Sequence, residues 1–363
     1  MSRFEGLARR KQPDWKAMVD NILRRGTPRR VHHIELFHDG EIRDAIAERF
    51  DLCAGVPVGH PDYERKKGIA VNRFCGWDHV SVGLVNMYMP TNKIVAEDTA
   101  GLSRAGGRGF QDEHSGPIMS WEDLEKYPWP DPSAPGATRE LEWFQEHLPE
   151  DMCLCAHTGH VCEYLCWLMG YETLCYALYD RRNLVEALAG RIRQLHVAEM
   201  KRFLEFDRVR LIWGSDDMGF KTGLMCSADD MRRFELSGHK ELARMAHDAG
   251  RAYLLHSCGN LGQIVDDLID DVKIDAKHSF EDTIEDVCRV KRTYGRRIAL
   301  LGGIDVDFLC RADEAAVRKR VRRTLDACLP GGGYCLGTGN SVANYIPLDN
   351  YLAMVDEGML YSV

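Results

Sequence analysis

Beyond residue 150, short apolar runs and amphipathic helical segments alternate five times with only short links between them. A strand that is followed by a helix and then another strand of the same sheet re-enters in the same direction, so this order points to parallel βαβ units. Strands are expected over 152–156, 209–213, 252–256, 273–277, 298–301 and 333–336. Helical periodicity covers 183–206, 228–249, 261–269, 284–294, 314–328 and 348–357. Five such units fit either a closed barrel or an open sheet. The polar residues favour the barrel, because they cluster where the strands end: Ser215-Asp216-Asp217, His256-Ser257-Cys258, Gly302 to Asp305, and Cys335. The C-terminal rim of a (β/α)8 barrel gathers strand ends from all round the sheet into one site. The expected fold class is therefore α/β, a (β/α)8 TIM barrel with additional N-terminal helices.

One domain over 1–363 is expected. Residues 151–363 form its regular units, and 1–150 form a helical and irregular extension that carries the first strands. Within the extension, 3–30 reads as helical and basic, and 99–109 as a Gly- and Arg-rich loop or hairpin. Residues 127–135 hold four prolines, which fix φ and remove donors, so this stretch is a connector.

Charge narrows the partners. Lys plus Arg number 47 against 56 Asp plus Glu, a net charge of −9, which ill suits wrapping a phosphate backbone; no nucleic acid is expected. The most apolar stretches, 161–178 and 299–304, are short or broken by charge, so no membrane span is expected. The N-terminus has no apolar run of signal-peptide length, and the expected location is cytoplasmic. Thirteen cysteines in such a chain read as buried thiols, with a metal site among them, rather than as a disulfide framework.

His256 and Cys258 are two apart at a strand end and so face the same way. With Cys335, also at a strand end, they make an imidazole and two thiolates, a three-ligand zinc set with an open fourth position. The competing reading is a buried thiol pair and one satisfied core histidine. Cys153, Cys155, His157, His160, Cys162 and Cys166 form a rival cluster, either a metal or redox site or plain packing among apolar neighbours. Asp216, Asp217 and Asp305 are candidates for acid–base work or for capping the next helix. Glu281 is a candidate fourth metal ligand or a surface cap. No phosphate-binding glycine loop is present.

Gly214-Ser-Asp-Asp-Met-Gly219, His256-Ser-Cys-Gly-Asn260, Leu301-Gly-Gly-Ile-Asp305, Gly331-Gly-Gly-Tyr-Cys-Leu-Gly337 and Leu168-Met-Gly-Tyr-Glu172 resemble the uroporphyrinogen decarboxylase superfamily, as does the ending 347–357. The resemblance is strong over 150–360 and weak before it, and it implies the same barrel with extra N-terminal helices. It is strongest toward the zinc-dependent corrinoid methyltransferases, whose His-x-Cys and distant Cys are matched by His256, Cys258 and Cys335. That branch implies zinc, a corrinoid (cobalamin) cofactor on a partner corrinoid protein, and a methyl group exchanged with a small thiol or methyl ether. Asp216, Asp217 and Asp305 would then shape the pocket and move protons. Glu281, or a water in its place, would hold the fourth zinc position until substrate displaces it. Residues 99–129, with Trp121, would receive the corrinoid protein. The alternative is a metal-free decarboxylase, with Asp78 holding the substrate. Against it, the Arg-rich N-terminal motif is missing and Gly337-Thr-Gly339 replaces the family's Gly-His-Gly.

Overall fold

A computed structural model describes residues 3–9 and 12–363. Seven strands form one parallel sheet in sequence order: His79–Val82, Cys153–Thr158, Val209–Ser215, Ala252–His256, Ala276–His278, Ala299–Leu301 and Tyr334–Cys335. An eighth stave closes the ring. His33 bridges Trp77 on one side and Leu336 on the other, both in parallel. Ile34 N donates to Leu336 O at 2.9 Å, and Leu336 N donates to His32 O at 2.8 Å. The stave around His33 precedes all the others in the chain, so the order runs unbroken round a (β/α)8 barrel.

The barrel interior is packed. Alternate residues point inward, and Ile34, Leu36, Cys153, Cys155, Leu211, Trp213, Leu254, Leu301 and Cys335 form one buried cluster with the alanines of the later strands. Met18 and Ile22 enter it from helix Trp15–Ile22, which plugs the floor. That helix starts where Asp14 accepts the Ala17 N–H at 3.0 Å. Asp78, just before the strand His79–Val82, ties it down by accepting from Asp14 N at 2.6 Å, from His32 Nδ1 at 2.7 Å and from Arg30. Outside the ring, Leu348–Leu360 is buried along nearly its whole length. It lies against Glu314–Cys328 and Glu5–Ala8, where Asp356 accepts from Leu7 N at 2.9 Å and Arg318 at 2.7 Å.

The expected strands all form, the one expected over 273–277 shifted to Ala276–His278. Three expectations change. The basic N-terminal segment holds two short helices, Glu5–Ala8 and Trp15–Ile22, among its described residues; residues 10 and 11 lie outside the described residues. The helix expected over 261–269 starts late: 262–264 are turn, and helical geometry runs from 265, as a wide i→i+5 turn over Asp267–Val272. The stave around His33 was expected somewhere within 1–150 but not located, because its polar His32, His33 and Glu35 break the apolar run. Residues 99–109 lie largely in the loop of an antiparallel hairpin, Lys93–Ala96 with Arg108–Gln111. Asp98 accepts from Asn344 at 2.6 Å and Glu41 from Arg104 at 3.0 Å, which hold the hairpin near the C-terminal mouth. No helix among the described residues is long and apolar enough to cross a membrane.

Candidate metal centre

Three groups meet at the C-terminal ends of adjacent strands. Asp217 follows the strand Val209–Ser215, His256 ends the next strand, and Cys258 lies two residues on. Asp217 Oδ1 is 3.4 Å from His256 Nε2 and accepts the Cys258 backbone N–H at 3.0 Å. Cys258 Sγ is 3.5 Å from the same His256 Nε2. One ligand atom from each residue lies within 4.8 Å of the other two, a grouping found nowhere else among the described residues for three or more such side chains. Burial raises the Asp217 carboxyl, but contact with His256 and with Cys258 outweighs it and holds the group at about 2, so it stays ionised. Burial also pushes the Cys258 thiol up, as expected for a sulfur whose stable anionic form needs a cation beside it. A carboxylate, an imidazole nitrogen and a thiol that converge in this way fit a zinc ion.

The surrounding shell is built by two later segments. Asn340 Nδ2 donates to Cys258 Sγ at 3.2 Å, and Ser279 Oγ lies 3.9 Å from that sulfur. His256 Nδ1 and His278 Nδ1 are 2.7 Å apart, and His278 Nε2 is 3.3 Å from Thr338 O. Thr338 N lies 3.0 Å from both carboxyl oxygens of Glu35, and its hydroxyl is 2.5 Å from Oε2. Burial lifts Glu35 to about 8 despite these bonds. Backbone packing fixes the segment that carries Thr338. A Cβ on Gly337 would stand 1.9 Å from Ile34 O, and one on Gly339 would stand 2.0 Å from Phe280 O.

Of the residues expected from sequence, His256, Cys258 and Asp217 come together, and Cys335 and Glu281 do not join them. Cys335 points into the packed barrel interior, where Asn21 of the floor helix donates to its sulfur at 3.4 Å. Glu281 lines a cavity of about 230 Å³ with Lys277, Glu285 and Arg289. Gly259 and Ser279, the neighbours of Cys258, line the same cavity, so Glu281 lies beside the group without joining it. Asp216 is fully buried and saturated. It accepts from the backbone of Val161, Cys162 and Glu163 at 2.8–2.9 Å and contacts His239 Nε2 at 3.0 Å, so it caps the helix Cys162–Met169. Asp305 caps Val306–Arg311 through Phe308 N at 2.8 Å and also accepts from Asp282 N at 2.9 Å. Asp78 sits at the opposite, N-terminal end of the barrel in the floor contacts described above.

The rival cysteine cluster is divided. Cys153 and Cys155 pack inside the barrel. Cys162 and Cys166 instead face a small void of about 10 Å³ with Cys175, Cys226 and Glu235. His157 pairs with Ser81 at 3.1 Å and His160 with Glu163 at 2.8 Å. Sequence reasoning missed Asn340, His278, Thr338 and Glu35. The signal available was the glycine spacing around Thr338, which marks a backbone pressed against its neighbours.

A closed parallel α/β barrel with a metal-competent group at its C-terminal mouth defines the class. Residues 108–358 match the family model of Uroporphyrinogen decarboxylase (URO-D), and the chain belongs to that family. Among curated proteins, it is 36% identical over 74 residues to a uroporphyrinogen decarboxylase of Cupriavidus necator, a stretch covering 20% of this chain and 20% of that one. A uroporphyrinogen decarboxylase of Cupriavidus pinatubonensis is 34% identical over 79 residues, 21% of this chain and 22% of that protein. The chain thus matches only about a fifth of these relatives' length. Among solved structures, a methyltransferase from Methanosarcina mazei superposes with a TM-score of 0.68 at 17% identity, covering 96% of this chain and 98% of that one. That similarity establishes the shared fold.

Proposed function

We propose that this chain is a zinc-dependent methyltransferase, which moves a methyl group between a small thiol or methylated compound and a corrinoid carried on a partner protein. The observation that carries the reading is the convergence of Asp217, His256 and Cys258 at the barrel mouth. These three residues would hold the ion. When bound, zinc supplies a Lewis acid that lowers the pKa of a coordinated thiol or stabilises a departing oxyanion. Asp217 brings a carboxylate, which accepts the Cys258 backbone N–H and so stays beside the sulfur. Asn340 donates to the sulfur and draws charge from it. Packing behind the site by Trp213 and Leu254 keeps water from its inner side.

The name and the whole-chain superposition of the Methanosarcina mazei methyltransferase support the methyl-transfer reading. The hairpin near the mouth suits a docking role for a corrinoid protein, since Ile94, Val95 and Phe110 are exposed on it and Trp121 is exposed nearby. Metal-free decarboxylation is the alternative, supported by the short matches to decarboxylases. Asp78, the carboxylate that reading was assigned, lies in the barrel floor, which speaks against it. The test is transfer of a methyl group from methylcobalamin to small thiols, with the protein zinc-loaded or chelated. Turnover that needs zinc supports the proposal. Zinc-independent release of carbon dioxide from a porphyrinogen would replace it with the alternative.

A further inference from the structure

The two histidines beside the candidate metal group set one another's protons. His278 is fully buried, and among the described residues its polar contacts are His256 Nδ1 and Thr338 O. No carboxylate touches it, and a buried imidazole without an anionic partner holds its neutral form. Its Nε2 faces a carbonyl oxygen at 3.3 Å, which can only accept, so the single ring proton of His278 belongs on Nε2. Its Nδ1 is then an acceptor. At 2.7 Å from that acceptor, His256 Nδ1 must be the donor. A His256 that carries a single ring proton therefore carries it on Nδ1 and leaves Nε2 bare, the atom that faces Cys258 Sγ at 3.5 Å and Asp217 Oδ1 at 3.4 Å.

We propose that His278 and the Thr338 carbonyl are positioning groups that lock His256 in its Nδ1–H tautomer and so aim the Nε2 lone pair at the metal position. This rests on the metal-site reading above and adds to it the order in which the protons are held.

The far end of the relay is itself fixed. The Thr338 hydroxyl lies within hydrogen-bond reach of both Glu35 Oε2 and Asn340 O, and it has one proton to give. A protonated Glu35 resolves this by donating to the hydroxyl, which then donates to Asn340 O. Burial lifts Glu35 to about 8, which favours that proton. Thr338 therefore supports both sides of the site: its carbonyl anchors the relay to His256, and its hydroxyl anchors the residue whose side-chain amide reaches Cys258. At this position the sequence replaces the His of the family's Gly-His-Gly with Thr in Gly337-Thr-Gly339.

The test is two-bond proton–nitrogen correlation NMR on the full chain labelled with ¹⁵N-histidine and recorded at pH 8 without metal, with His256→Gln and His278→Gln spectra for assignment. The expected result is a protonated Nδ1 and bare Nε2 on His256, and the reverse on His278. A proton on His256 Nε2 overturns the proposal. A second measurement uses His278→Phe, which keeps a ring but removes both nitrogens. Zinc affinity, read by chelator competition with circular dichroism as the folding control, should fall by about 10–100-fold. An unchanged affinity in a folded variant also overturns the proposal. If the wild-type chain shows the expected tautomers but binds no zinc, the metal reading fails while the relay stands, so the two failures are distinguishable.

Discussion

The side-chain amide of Asn340 donates to the sulfur of Cys258 across 3.2 Å, joining the last barrel loop to the strand end that carries His256. A hydrogen bond to a thiolate is charge-assisted and worth about 1.5–3 kcal/mol. Asn340→Ala should therefore weaken zinc binding by roughly 10–100-fold, while Asn340→Gln, which keeps an amide, should recover part of the loss. Chelator competition measures both, and equal affinities for wild type and Asn340→Ala would remove the residue from the site.

Asp216 and Asp305 should behave as structural residues. Asp305→Ala removes a helix cap worth about 0.5–2 kcal/mol, so the melting temperature should drop with zinc content unchanged. Asp216→Asn disturbs three backbone donors and His239 at once and should destabilise the chain more. Thermal melts beside elemental analysis of the same samples separate these roles. Loss of zinc from a fully stable Asp305→Ala protein would return that residue to the site.

The regular half of the barrel was legible because each strand there is an apolar run ended by polar residues. Ala252–His256 was bounded correctly, and His256 and Cys258 were placed together by the two-residue alternation of a strand. Cys335 obeys the same alternation but fails as a partner for a reason local spacing does not carry. Its strand is two residues long, and its sulfur faces Asn21 of a helix more than three hundred residues earlier. The capping role of Asp216 was foreseen in kind, though the helix it caps precedes it in the chain. The first stave stayed hidden because buried polar residues occupy it, and each is satisfied or packed by residues remote in sequence, as Glu35 is by Thr338.

The floor helix should be an integral part of the core. Ile22 is fully buried against the barrel interior, so Ile22→Ala should cost about 2–5 kcal/mol, read by denaturant unfolding. A loss below about 0.5 kcal/mol would mean that the helix does not plug the barrel in solution.

Stability should depend on pH in two opposed ways. Burial, with Arg30 nearby, holds His33 at about 3, and burial holds His79 at about 4. The unfolded chain binds protons there that the folded chain does not, so stability is lost as pH falls from about 6.5 toward 4, each group giving up to about 1.4 kcal/mol per pH unit. Glu35 acts in the opposite sense. Its raised value of about 8 makes the folded chain hold a proton that the unfolded chain has released, so its contribution falls as pH rises from about 4.5 to 8. In melts across this range, the stability of wild type relative to Glu35→Gln should therefore decline with rising pH. A flat difference would show that Glu35 is ionised when folded.

Elemental analysis of purified wild-type, Cys258→Ser, Asp217→Asn and Cys335→Ser proteins tests the central claim most directly, because it separates the group at the barrel mouth from the thiol in its interior. The expected result is one zinc per chain in wild type and in Cys335→Ser, with most of it lost from Cys258→Ser and Asp217→Asn. Wild type without zinc, or zinc lost from folded Cys335→Ser as completely as from Cys258→Ser, would contradict the account.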